Sequence, residues 1–194
     1  AVRRAVMTGI TQLSAKINEM IAKDLKTDTY EVTYHSGHRP SHWWGGQIYT
    51  YSELISVCGL GDVAGLCGGN CRHSYYAFVP GVSVRTYTDQ QLREYEEAEK
   101  QTREYNGKLY NRYEATQAQR QLETKMRAQR AFVKALQRGG ADKEDVMAAK
   151  TRDLHTLHQY QVFSKKMRLP EQMERVYMDG LGRVAPPNRY RKVR

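Results

Sequence analysis

Apolar residues recur at Val2, Val6, Ile10, Leu13, Ile17, Ile21 and Leu25, at spacings of four or three. That period predicts an amphipathic helix over residues 1–26, with one apolar stripe expected to pack on its own domain. Arg3, Arg4, Lys16 and Lys23 fall off the stripe. The pattern then switches to alternation. Tyr30 to Tyr34 and Gln47 to Tyr51 read as short strands, with a helical turn at Ser52 to Val57 between the second strand and a glycine-rich run. Ser74–Val79 and Val82–Tyr87, separated by Pro80-Gly81, read as a hairpin.

At Thr88 the pattern becomes charged and helical. Thr88-Asp89-Gln90-Gln91 has the form of a capping box. The following helix is expected to reach Arg138, where Gly139-Gly140 ends it, with Asn106-Gly107 as the point where it divides in two. Leu92, Tyr95, Tyr105, Leu109, Tyr113, Leu122, Met126, Phe132 and Leu136 are its apolar positions. Glu96/Lys100, Glu99/Arg103 and Glu123/Arg127 are favourable pairs four residues apart. Asp142 is placed to cap a further helix over 143–167, with Val146, Leu154, Leu157, Tyr160, Phe163 and Met167 inward. The short link predicts an antiparallel helical hairpin. Pro170 starts a short helix ending near Gly180.

The fold class these elements predict is α+β. A small antiparallel sheet with His/Cys-rich loops is flanked by an N-terminal helix and a long C-terminal helical hairpin. The expected organisation is 1–87 for the first helix and the sheet-and-loop module, 88–180 for the helical hairpin, and 181–194 for a basic tail.

Composition sharpens this picture. A hydrophobic content of 40% and a mean hydropathy of −0.77 suit a small core with long solvated helices better than a compact enzyme. The net charge of +10 favours an anionic partner. Half of that excess lies in the tail, where Arg183, Arg189, Arg191, Lys192 and Arg194 stand without an acid. Those five residues are the candidate contacts to DNA. Fourteen tyrosines against three phenylalanines suit wet interfaces and helix seams. No run is apolar and long enough to span a bilayer, and no secretory signal opens the chain. A start at Ala1 rather than Met leads us to expect a piece or a processed form of a longer protein. Three cysteines do not close a disulfide framework, so free thiols or metal ligation fit better.

The chemistry concentrates between His35 and His73. Histidines stand at His35, His38 and His42, and Pro40 keeps that stretch a loop. Cys58, Cys67 and Cys71 lie in the glycine-rich run, which closes with Gly69-Asn70-Cys71-Arg72-His73. The glycine spacing of Cys58 to Gly65 is wrong for a dinucleotide loop. Imidazole and thiolate are the ligands zinc favours, and the two segments together offer more than the four a closed tetrahedral site needs. A Cys/His nucleophile pair, Cys71 with His42 or His73, is a competing reading, but no orienting acid accompanies it. Each of these side chains also reads as an ordinary turn or core residue. A metal-dependent nuclease or zinc-binding nucleic-acid module is the alternative from another class, opposed by the carboxylates: only Glu53 and Asp62 lie in the stretch. His155 and His158, three apart on a helix, read as surface or seam residues.

Four segments together resemble tailed-phage minor capsid proteins of the "minor capsid 2" type, which share short motifs with the Mu F-like minor head proteins. These are the opening Ala1 to Gly9, the segment His35-Ser36-Gly37-His38-Arg39-Pro40-Ser41-His42, the segment Gly69-Asn70-Cys71-Arg72-His73 with Pro80-Gly81, and Tyr113 to Arg120 with Leu122-Glu123 and Met126-Arg127. The likeness runs to about Met167. It matches His35, His42, Cys71 and His73 more closely than His38, Cys58 or Cys67, so the first four are the expected ligands of a structural zinc. The resemblance implies a virion protein without enzymatic activity, present in several copies. Its implied partners are the portal, the major capsid protein and packaged double-stranded DNA, and it would be assembled in the host cytoplasm.

Overall fold

The computed structural model describes residues 2–182 and 184. They fall into two units, up to Lys100 and from Gln101 onward. The change in composition at Thr88 lies inside the first.

The first unit is built on a three-stranded antiparallel sheet. Helix α1 (Val2–Asp24) leads into β1 (Thr29–Val32), β2 (Ile48–Thr50), helix α2 (Tyr51–Ser56), β3 (Tyr75–Phe78) and helix α3 (Asp89–Lys100). The strand order is β2-β1-β3, with Tyr30 opposite Tyr49 on one side and Ala77 on the other. The central strand is buried almost throughout. Glu31 can be buried there because its carboxylate accepts from the Thr86 amide (2.8 Å) and hydroxyl (2.7 Å). β3 does not form the hairpin expected across Pro80-Gly81: residues 82–87 make no strand, and β3 pairs with β1 instead. The polar groups of this segment are used elsewhere: the Ser83 hydroxyl accepts from the Val79 amide within a turn, and the Thr86 amide and hydroxyl donate to Glu31.

α1 packs across β3, but not as its periodicity suggests. The face against the sheet is small and polar, with Ala15, Asn18 and Ala22 buried, and Glu19 accepts from the Tyr75 hydroxyl at 2.8 Å. The apolar stripe faces outward. Val6, Ile10, Leu13, Ile17, Met20, Ile21 and Leu25 are between 43% and 67% exposed. Aromatic Tyr30 and Tyr75, meeting edge to face at 5.3 Å, already fill the space beneath the helix, which leaves room only for alanine-sized groups.

Between α2 and β3 the chain ties a glycine knot. The amide of Leu66 donates to Cys58, that of Gly69 to Val63, and that of Cys71 to Gly68. The turns are tight enough that a methyl group on Gly65 would stand 2.0 Å from the Gly59 carbonyl oxygen. Cys67 and Asn70 take left-handed backbone.

The second unit opens with a feature the helical pattern concealed. The expected helix from Thr88 to Arg138 is interrupted by a hairpin, β4 (Arg103–Tyr105) and β5 (Lys108–Tyr110). Asn106 and Gly107, with φ of 52° and 77°, form the turn between them. Tyr105 and Tyr110, diagonal neighbours across the two strands, rest edge-on against Phe163, so a cross-strand pair replaces a helical seam. Asn111 then caps α4 (Arg112–Arg138) through a full capping box with Glu114. α5 (Lys143–Lys166) returns after Gly140 at φ 69°, and the short α6 (Met173–Tyr177) follows. Ala115 packs with Phe163 at one end of the pair and Val133 with Ala149 at the other, so α4 and α5 are antiparallel. At the centre, buried Arg130 donates to both carboxylate oxygens of Asp179, at 2.7 and 3.0 Å, beneath the Tyr177 ring.

Candidate metal centre

His42, Cys71 and His73 converge in the first unit. Pro40 opens a single 3-10 turn, Pro40–His42, and Arg39 before it is extended. That turn aims His42 inward. Arg39 braces the opposite loop by donating to the carbonyls of Ala64 (3.3 Å) and Gly69 (3.1 Å). The glycine knot delivers Cys71, and the chain entering β3 delivers His73. The Cys71 sulfur lies 3.6 Å from His73 Nδ1 and 3.9 Å from His42 Nδ1, and the three candidate ligand atoms are all within 4.8 Å of one another.

The two sulfur–nitrogen separations are close to those of a shared ion. A tetrahedral zinc, with bonds near 2.3 Å to sulfur and 2.0–2.1 Å to nitrogen, sets sulfur and nitrogen about 3.6 Å apart. The His42 ring is oriented as a ligand should be. Its Nε2–H donates to the Ala64 carbonyl at 2.8 Å, which leaves the Nδ1 lone pair facing Cys71. His73 is 2% exposed and its Nε2 has no hydrogen-bond partner. Gly45 makes room for that ring: a Cβ there would lie 3.1 Å from Nε2. Trp44, also buried, stacks on His42 (4.7 Å between centroids) and tilts against His73 (4.8 Å).

The electrostatics describe uncharged side chains in a largely buried pocket. Burial is the main cause of every shift here. It holds His73 down to about 3, with the neighbouring His35, His42 and His38 adding to the effect. It lowers His42 and His35 as well. It raises the Cys71 thiol, and pushes Cys58 and Cys67 to about 12. A nucleophilic cysteine needs the opposite shift, so this environment does not activate Cys71. A bound cation would reverse the balance, since coordination deprotonates a thiol outright.

The sequence-predicted ligands divide three to one. His42, Cys71 and His73 meet. His35 stands beside them, its ring 5.1 Å from that of His73, but its Nε2 lies 3.4 Å from the Thr33 hydroxyl and outside the converging set. His38 is 6.3 Å from His73 and donates from Nδ1 to the His35 carbonyl. Cys58 and Cys67 are buried core residues. His155 and His158 are exposed on α5. Arg183, Arg189, Arg191, Lys192 and Arg194 lie outside the described residues. Glu99 was not foreseen as part of this region. Its carboxylate, carried on α3, accepts from the Ser36 hydroxyl (2.6 Å) and the Gly37 amide (2.8 Å), fixing the loop that holds His35 and His38. In sequence it is one acid among many on a charged helix.

The family model described as phage minor capsid protein 2 matches residues 1–162, which include both loops of this centre and most of the helical hairpin. The chain belongs to the phage minor capsid protein 2 family. No curated protein and no solved structure matches it significantly. Membership makes this a minor capsid protein of the phage virion. No helix among the described residues is long and apolar enough to cross a membrane.

Proposed function

We infer that this minor capsid protein is a non-enzymatic building part of the head, set against the portal or the major capsid protein in several copies and assembled in the host cytoplasm. Its first unit is fastened by one structural zinc ion. His42, Cys71 and His73 hold the metal, and His35, the nearest further imidazole, completes the set by turning from Thr33. The basic residues Arg183, Arg189, Arg191, Lys192 and Arg194 touch packaged double-stranded DNA. The observation that carries the metal reading is the convergence of two imidazole nitrogens and a thiol within 4.8 Å, with His42 oriented from behind by a backbone carbonyl. A zinc clasp suits a unit whose sheet is small and whose loops are glycine-rich, because the binding free energy becomes folding free energy.

Elemental analysis of the purified full chain tests this directly. One zinc per 22.4 kDa chain is expected, lost in Cys71→Ser and His42→Ala, with chelation lowering the melting temperature. Absence of stoichiometric zinc after incubation with the metal would overturn the clasp. Incubation with plasmid DNA and divalent metals separates this reading from a nuclease, which would nick the plasmid. Deleting residues 181–194 is expected to weaken DNA binding and flatten its salt dependence.

A further inference from the structure

The outward stripe of α1 is left largely uncovered by its own unit. Its most regular members are Val6, Ile10, Leu13, Ile17 and Met20, each half or more exposed. Their spacing is four, three, four, three, which is the 3.5-residue repeat of a two-helix seam rather than the broader face of a helix lying on a sheet. In that repeat Ile10 and Ile17 take the a positions, and Val6, Leu13 and Met20 take d. β-Branched isoleucine at both a positions, with Leu13 and Met20 at two of the three d positions, is the arrangement parallel pairs favour; β-branched Val6 is the exception at d. With Ile21 and Leu25 beside them, these side chains expose on the order of 600–700 Å². That is above the roughly 300–600 Å² of the largest apolar patch on a typical monomer. It approaches the ~800 Å² per partner of a standard interface.

Charge supports the same occupant and the same direction. Lys16 and Lys23 occupy g positions, whereas Met7, Ser14 and Ile21 occupy e. In a parallel pair, g of one helix faces e of the other, so each lysine stem lies along an uncharged side chain. An antiparallel pair sets lysine against lysine. Asp24, at the next a position, ends the apolar seam.

We propose that α1 is a dimerisation helix: the exposed seam Val6, Ile10, Leu13, Ile17, Met20 pairs in parallel with the same seam of a second copy of this chain. The pairing joins the helices along their outer faces and leaves the sheet side of each undisturbed. It is independent of the metal reading, since none of His42, Cys71 and His73 belongs to the seam.

Sedimentation equilibrium of the full chain over a dilution series tests the proposal. The expected mass at high concentration is twice 22.4 kDa. Ile10→Glu and Ile17→Glu change side chains that are exposed in the single chain, so each should keep the wild-type circular dichroism spectrum while weakening association at least about a hundredfold. Leu13→Cys should form a disulfide-linked pair rapidly on mild oxidation, because parallel alignment sets d positions side by side; the wild-type chain, with Cys58 and Cys67 buried, is the control. A wild-type chain that stays monomeric at every concentration, or an association untouched by both glutamates, overturns the proposal. Failure of Leu13→Cys to crosslink in an associating chain overturns the parallel alignment.

Discussion

Replacing Asp179 with alanine should destabilise the second unit more than any other single surface-accessible change. Arg130 is buried, with its side chain 4% exposed against 14% for Asp179, and its guanidinium spends two donors on that carboxylate and one on the Gly182 carbonyl. Removing the carboxylate leaves a buried cation with the Gly182 carbonyl, the Tyr177 ring and the field of Asp153, but no direct ion pair. Breaking such a pair from one side costs about 3–5 kcal/mol, and the partial exposure of Asp179 places the effect near 3 kcal/mol. For a unit of this size that is a fall in melting temperature of roughly 10–20 °C, read by circular dichroism at 222 nm or by calorimetry. The pH dependence has a fixed sign. The Arg130 hydrogen bonds hold the Asp179 carboxyl below its usual value. Its contribution is therefore present above the ordinary carboxylate range and is lost as pH falls through the depressed value, so wild type and variant should converge in acid. Combining Arg130→Met with Asp179→Leu should recover most of the loss, because neither charge is then buried alone. A melting temperature within a few degrees of wild type for Asp179→Ala at neutral pH would refute the clamp.

Three further changes probe other parts of the chain. Gly65→Ala puts a methyl group against the Gly59 backbone, which no rotamer relieves, so a loss at or beyond the 1–3 kcal/mol typical of overpacking is expected in a urea titration. Glu99→Ala removes the acceptor shared by Ser36 and Gly37, and should speed amide exchange across residues 35–38 with a stability cost of about 1–2 kcal/mol; unchanged exchange there would show that α3 does not hold the loop. Asn111→Ala deletes the cap of α4 and should cost about 1 kcal/mol by chemical denaturation, while Asn111→Asp should be close to neutral.

Much of this architecture was legible because its causes are local. The period of residues 143–167, the alternation at Tyr30, the capping residue at Thr88 and the breaking effect of Gly139-Gly140 act within a few positions. The misreadings have a common origin in what lies opposite an element. The α1 stripe looked like a core face because a period reports which residues share a side, not what covers that side. Here tyrosines beneath the helix leave space only for Ala15 and Ala22. The hairpin at 103–110 was hidden because Tyr105, Leu109 and Tyr113 mimic a helical spacing, while Asn106-Gly107 carries the turn chemistry that decides the matter. Of the three charge pairs expected four residues apart, only Glu96–Lys100 forms as such, at 2.9 Å. Glu99 goes to the histidine loop, and Glu123 lies nearest Arg175, at 3.9 Å. In the metal centre, the residue types and the two loops were readable, but the exclusion of His35 from the trio was not, because it depends on the direction β1 gives the ring and on the Thr33 hydroxyl beside it.

The aromatic packing around the centre gives the protein a built-in optical readout. Trp44 lies face to face with one imidazole of the trio and at an angle to another, whereas Trp43 next to it is 68% exposed. The two indoles therefore differ in emission colour, the buried one blue-shifted and the outer one red-shifted. Trp43→Phe would leave a single tryptophan, stacked on His42 and tilted against His73. Its intensity would then follow the arrival of a quenching ion such as cobalt, or the protonation of those rings, in real time and without any label.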